Sequence, residues 1–121
     1  VQTHFDADRT GRLPARVEAG LYRIAQEALN NALRHAMASR IEVRLRSEED
    51  CIILEIHDDG RGFDAAGRSD RGGLGLRGME ERTEQMDGRL SVMSRPGEGT
   101  TVRVEVPVSL GEGEPEPDSR A

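Results

Sequence analysis

Glu27 and Asn31 stand four residues apart, and Arg34 and His35 follow three and four residues later. On a helix all four would project along one stripe, away from the apolar positions Val17, Leu21 and Ala28. An asparagine oxygen suits the octahedral shell of a phosphate-bound Mg²⁺, and a nearby carboxylate can orient a water or a hydroxyl. A solvated helix face explains the same stripe without any chemistry. A second group is Ile56-His57-Asp58-Asp59-Gly60-Arg61-Gly62-Phe63, where an apolar run ends in two acids and two spaced glycines. A carboxylate at a strand end can accept from an exocyclic amine such as that of adenine, and glycines let the backbone approach a flat ring. A plain Asp-Gly turn fits equally well.

The third group is Gly72-Gly73-Leu74-Gly75-Leu76-Arg77-Gly78-Met79, a glycine cluster opening a helix. Backbone N–H groups and the positive end of the helix dipole favour anions there. Gly73, Gly75 and Gly78 fit the spacing of the dinucleotide fingerprint, but the preceding stretch from Asp64 to Arg71 is polar loop, not strand, and the fingerprint requires a strand within a parallel unit. A protein-kinase glycine loop fails as well, because the chain contains no lysine to meet the phosphates.

The elements that must position these groups can be read from periodicity. Val1, Thr3 and Phe5 alternate with polar residues as in a half-buried strand, before a turn-rich stretch from Asp6 to Arg12. Pro14 suits the first turn of a helix, and Val17, Leu21, Ile24, Ala28 and Ala32 carry that helix to about Met37. Ile41, Val43 and Leu45 alternate in a strand that pairs as a hairpin with the run Cys51 to Ile56. From Asp58 to Gly78 periodicity stops, and a long glycine-rich loop of this kind is usually functional. Leu76, Met79, Thr83 and Met86 mark a second helix, with Gly88 placed for a left-handed cap. Leu90 and Val92 begin a strand that pairs with Val102, Val104 and Val106 across the turn Arg95 to Gly99. The order implies an α+β two-layer sandwich, a mixed and mostly antiparallel sheet with helices on one face. Residues 1–110 form one domain whose first strand looks truncated. Residues 111–121, acidic and, their two prolines aside, without apolar side chains larger than alanine, read as a disordered tail.

The 121 residues, 35% of them hydrophobic, support a single core. A net charge of -6 without a basic cluster disfavours nucleic acid and anionic lipid as partners. No apolar run approaches the ~20 residues that span a bilayer. The single Cys51 excludes an intrachain disulfide and reads as a buried structural thiol in a reducing compartment.

In this order the three groups resemble the nucleotide-binding boxes of the GHKL ATPase superfamily, and in particular those of nitrate/nitrite-sensor-type histidine kinases. Tyr22 to Ala36 looks like the N box, Asp58 to Gly62 like the first glycine box, Gly73 to Met79 like the second, and Ser94 to Thr101 like the turn closing the adenine pocket. The resemblance spans about Leu13 to Val108. It implies the histidine kinase/gyrase-like ATPase fold and an ATP-dependent protein histidine kinase, with ATP and Mg²⁺ as ligands. By resemblance, Asn31 binds the Mg²⁺ that bridges the phosphates, Glu27 orients the attacking group, and Arg34 and His35 face the phosphates. Asp58 accepts from the adenine amine, Gly60 and Gly62 lie beneath the ring, and Thr100 supports the pocket. Gly73 and Gly75 hinge the ATP lid, and the backbone of Leu76 and Arg77 meets the phosphates. The segment between Phe63 and Gly73 is short and lacks the phenylalanine-bearing box of larger histidine kinases, which fits the nitrate-sensor type.

The same resemblance implies a phosphoacceptor histidine in a dimerisation domain of a homodimeric parent, and a response regulator downstream. The implied location is cytoplasmic, whether or not the parent is anchored in a membrane. His4 and His57 fall on strands and are expected to be structural. An anti-sigma-factor-type Ser/Thr kinase and a non-catalytic nucleotide-sensing module share the boxes and are the alternatives.

Overall fold

A computed structural model describes residues 1–8, 13–63 and 75–108. The chain runs through β1 (Gln2–Asp8), α1 (Ala15–Asn30) with a π-helical turn continuing it over Asn31–His35, β2 (Arg40–Glu48) and β3 (Cys51–Asp58). It continues with α2 (Leu76–Gln85), β4 (Arg89–Ser94) and β5 (Thr100–Pro107). The strands form one sheet in the order β1-β2-β3-β5-β4. β1 is parallel to β2, a pairing that needs a crossover, which α1 supplies. The other neighbours are antiparallel. The expected mixed, mostly antiparallel α+β architecture is what the chain adopts.

One face of the sheet is apolar because strand side chains alternate. Ile41 and Val43, then Ile52, Leu54 and Ile56, then Val102, Val104 and Val106 all point to the helices, where Val17, Leu21, Ile24, Ala28 and Ala32 meet them. Each fully buried aliphatic side chain contributes about 1.5–3 kcal/mol. α1 lies over β3 and β5, and α2 packs beside α1 and over β4.

Four local expectations are corrected. β1 continues to Asp8 instead of turning at Asp6. Phe5 is 63% exposed, not half-buried, because among the described residues the helices pack mainly over β3, β5 and β4 and do not cover β1 at the edge of the sheet. The left-handed residue after α2 is Asp87 (φ 60°), and Gly88 follows it, its N–H bonded 2.9 Å from Thr83 O in a Schellman-type closure. A Cβ at Gly88 would stand 2.7 Å from Glu105 O, so close approach to β5 is what demands glycine there. Cys51 is half-exposed on the face of the sheet opposite the helices, where burial and the carboxylates of Glu105 and Glu48 push its thiol pKa up. The glycine-rich residues 64–74 and the tail from 109 onward, including the segment expected to be disordered, lie outside the described residues.

Candidate functional site

Two cross-strand rows at one end of the sheet make a floor. Asp58 on β3 pairs with Thr100 on β5, which pairs with Ser94 on β4. One step inward, Ile56, Val102 and Val92 form a parallel row of aliphatic side chains. Ala28, Asn31, His35 and Ala36 come down from the α1 side, Leu76 from α2, and Arg61, Gly62 and Phe63 from the loop after β3. Together these groups enclose a cavity of about 210 Å³. Small-molecule pockets usually have about 300–1,000 Å³, so this one is sized for a flat ring and not for a whole nucleotide.

The π-helical turn shapes the roof. Ala36 N–H reaches back five residues to Asn31 O at 2.9 Å, the wider spacing of a π turn. Asn31 and His35 line the cavity on this turn, next to buried Ala28 and Ala32 of the core. The last carbonyls of the helical run need partners, and the loop after β3 supplies them: Arg61 N–H donates to Ala36 O at 3.0 Å and Arg61 Nε to His35 O at 2.9 Å. Gly60 makes this docking possible, since a Cβ there would stand 2.5 Å from Ala36 Cβ.

The two adjacent acids divide their work. Asp58 is 5% exposed, and its Oδ1 accepts from Gly60 N–H at 2.7 Å. Burial pushes its carboxyl above the ordinary range, against the opposing pull of the Gly60 hydrogen bond and of neighbouring His57. A carboxylate has about four acceptor positions, so capacity remains for a donor inside the cavity. Asp59 points outward to the start of β2, where Ser39 N–H and Arg40 N–H donate to Oδ1 at 2.8 and 2.9 Å, and Ser39 Oγ donates to Oδ2 at 2.9 Å. Those hydrogen bonds, first the one from Arg40, hold its pKa down to about 2. Asp59 ties β2 to β3, and Asp58 faces the cavity.

Ser94 is the hub of the opposite wall. Its Oγ accepts from Phe63 N–H at 2.9 Å, donates to Gly99 O at 3.0 Å and meets Thr100 Oγ1 at 2.7 Å. Gly62 and Gly99 both have positive φ, 66° and 80°, and a Cβ on either would overlap a carbonyl oxygen, of Arg95 and of Asp58 respectively. Gly97 N–H donates to Arg61 O at 2.6 Å, which closes the β4–β5 turn against the loop after β3.

Of the residues singled out from sequence, Asn31, His35, Asp58, Gly62, Leu76 and Thr100 line this one cavity. Leu76 does so with a buried side chain. Gly60 packs beneath Ala36 and is not part of the lining. Glu27 and Gly75 border a neighbouring depression, where a Cβ on Gly75 (φ 72°) would stand 2.5 Å from Glu27 Oε2. Arg34 and Arg77 are exposed and line neither. Gly73 lies outside the described residues. Sequence reading missed Arg61, Phe63 and Ser94 as positioning residues, although all three sat within motifs already singled out.

Residues 16–110 match the model described as histidine kinase-, DNA gyrase B-, and HSP90-like ATPase. The chain belongs to this ATPase family. It is similar to the signal transduction histidine-protein kinase/phosphatase DegS of Bacillus subtilis (strain 168), 40% identical over 115 residues, covering 91% of this chain and 30% of the relative. Its similarity to the DegS of Brevibacillus brevis is 37% over 101 residues, 84% of this chain and 26% of the relative. The chain thus spans under a third of the curated relatives it matches. Among solved structures, the histidine kinase domain of a blue-light activated histidine kinase from Erythrobacter litoralis EL346 superposes with a TM-score of 0.66 at 26% identity, over 91% of this chain and 52% of that one. The ATPase-family fold expected from the motifs is therefore established, and both curated relatives carry the name DegS, not that of a nitrate sensor.

Proposed function

We propose that this domain is the ATP-binding catalytic domain of a sensor histidine kinase, which transfers the γ-phosphoryl group of ATP to a histidine in a dimerisation domain of the full-length protein. The observation that carries this reading is that Asn31 and Asp58, from different elements, line one cavity. The family match and the similarity to histidine kinases support it. The cavity fits adenine: Ile56, Val102 and Val92 offer an apolar surface to the ring, and Asp58 offers a buried carboxylate to its amine.

The described residues hold no cluster of three or more His, Cys, Asp or Glu side chains able to bind a metal. Mg²⁺ keeps several waters and is commonly held by substrate phosphates with few protein ligands. Asn31 is the residue placed to add an amide oxygen to such an ion. Mg²⁺ supplies neutralisation of the phosphate charge. The cavity has room for the base only, so the phosphates run past Asn31 and Leu76 toward Glu27 and Gly75, where the positive end of the α2 dipole favours anions.

In the transfer, the lone pair of the acceptor nitrogen forms the N–P bond as the bond between the γ-phosphorus and the ADP oxygen breaks, its electron pair leaving with ADP. Glu27 is the carboxylate bordering that end of the site and is assigned to orienting the attacking imidazole. The domain contributes position and electrostatics and forms no covalent intermediate. The partners are the acceptor domain, in a homodimeric parent, and a response regulator. The assignment to the nitrate-sensor type rests on the motif resemblance alone.

Transfer from γ-labelled ATP to the separately supplied acceptor domain tests this reading. Label on the acceptor histidine, lost in a folded Asn31→Ala variant, supports it. Label on a serine or threonine of a partner, or nucleotide binding without any transfer, refutes it.

A further inference from the structure

The helical run that carries Asn31 does not end as a plain α-helix. Ala36 N–H bonds to Asn31 O at 2.9 Å and Ala38 N–H to Ala32 O at 3.0 Å, while Met37 between them takes a left-handed φ of 54°. A π turn is rare, and a left-handed backbone is unfavourable for a residue with a Cβ, so groups outside the helix must hold this ending. Its register matters to the cavity. In an α-helix Asn31 and Ala36 would stand about 140° apart around the axis. The π turn sets them one above the other, and Asn31, His35 and Ala36 all line the same cavity.

Arg61 supplies the hold. Its backbone N–H donates to Ala36 O at 3.0 Å and its Nε to His35 O at 2.9 Å, so that one residue takes two consecutive carbonyls of the turn. Its own carbonyl accepts from Gly97 N–H, which ties the same residue to the β4–β5 turn. The backbone bonds are open to any residue type, whereas the bond to His35 O needs a side-chain donor at that position.

We propose that Arg61 is a positioning residue for the metal-bound end of the nucleotide: through His35 O its side chain holds the π register that presents Asn31 to the cavity. This rests on the reading of Asn31 as a ligand of nucleotide-bound Mg²⁺. Without the Nε bond the turn relaxes toward α spacing. Ala36 stays pinned by Arg61 N–H and by its packing on Gly60, so part of the rotation falls on Asn31. The base floor of Ile56, Asp58 and Val102 is built by the sheet and does not move with the helix end.

The test is calorimetric titration of the chain with adenosine and with Mg-ADP, for wild type, Arg61→Ala, Arg61→Gln, Asn31→Ala and the double variant Arg61→Ala/Asn31→Ala. Glutamine carries its amide nitrogen the same number of bonds from the backbone as arginine carries Nε, so it keeps the donor and drops the charge. Arg61→Ala is expected to weaken Mg-ADP about five- to tenfold, the loss of one hydrogen bond, with adenosine binding unchanged. Arg61→Gln is expected to restore Mg-ADP affinity, and the double variant to bind no more weakly than Asn31→Ala. Wild-type affinity for Mg-ADP in Arg61→Ala would overturn the proposal. Equal weakening of adenosine would overturn it by assigning Arg61 to the base or to general stability. A Gln variant as weak as the Ala variant, or additive losses in the double variant, would assign the guanidinium to direct contact with the nucleotide and overturn it as well. Each of these outcomes leaves the kinase reading intact, whereas absence of Mg-ADP binding by the folded wild type overturns both.

Discussion

Asp58 and Thr100 are direct cross-strand partners on β3 and β5, so the carboxylate and the hydroxyl that face the cavity are fixed to each other by the sheet. Backbone pairing sets their separation, and the row continues to Ser94 on β4. The site is therefore as rigid as the sheet at that end.

Burying an ionised Asp58 opposes folding. Its raised pKa means that the stability linked to its protonation is complete below the unfolded-state value of about 3.9 and is lost as pH rises through the folded value. Asp58→Asn keeps an acceptor for Gly60 N–H and removes the buried charge. Its Tm should exceed that of wild type, with a gap that widens in scanning calorimetry as pH rises from about 4 through the folded-state value and is constant beyond it. The same variant should bind ADP about 10- to 100-fold more weakly, the loss of a hydrogen bond to a charged acceptor.

Asp59 behaves in the opposite sense. Its pKa, held down to about 2, places its contribution fully above the ordinary carboxylate pKa and removes it as pH falls through about 2. Asp59→Ala should lower Tm at pH 7 and give a difference from wild type that shrinks across that acid range, followed by circular dichroism. ADP affinity should stay near wild type, because this carboxylate serves Ser39 and Arg40.

Ser94→Ala strips hydrogen bonds from Phe63 N–H and Gly99 O at once. Leaving such groups unsatisfied costs about 1–3 kcal/mol, and denaturant unfolding should show a loss of that order. Gly99→Ala should be comparable, at about 1–3 kcal/mol for a strained backbone residue, with weaker ADP binding because the added Cβ pushes on the backbone of Asp58. Wild-type stability in both variants would show that the β4–β5 turn does not brace the cavity.

Much of this was legible in the sequence because periodicity carries it. The helical spacing of Val17, Leu21, Ile24 and Ala28 and the alternation of Val102, Val104 and Val106 mark directly which face is buried. Asn31 and Asp58 were legible as residue types at element ends. What lay beyond reach were relationships between elements. The π turn at Asn31–His35 leaves no mark on spacing, so nothing in the sequence separated Asn31 and His35, which line the cavity, from Arg34, which does not. The exposure of Phe5 follows from where the helices rest, and the difference between Asp58 and Asp59 follows from which side of the strand end each leaves. Neither is written in local pattern.

The most direct measurement is calorimetric titration of the chain with adenosine and with Mg-ADP, for wild type, Asp58→Asn and Asn31→Ala. Wild type is expected to bind both, Asp58→Asn to bind both more weakly, and Asn31→Ala to lose affinity for Mg-ADP while binding adenosine as wild type does. Absence of heat with Mg-ADP in the folded wild type, or wild-type binding by both variants, would contradict a nucleotide site built on Asn31 and Asp58.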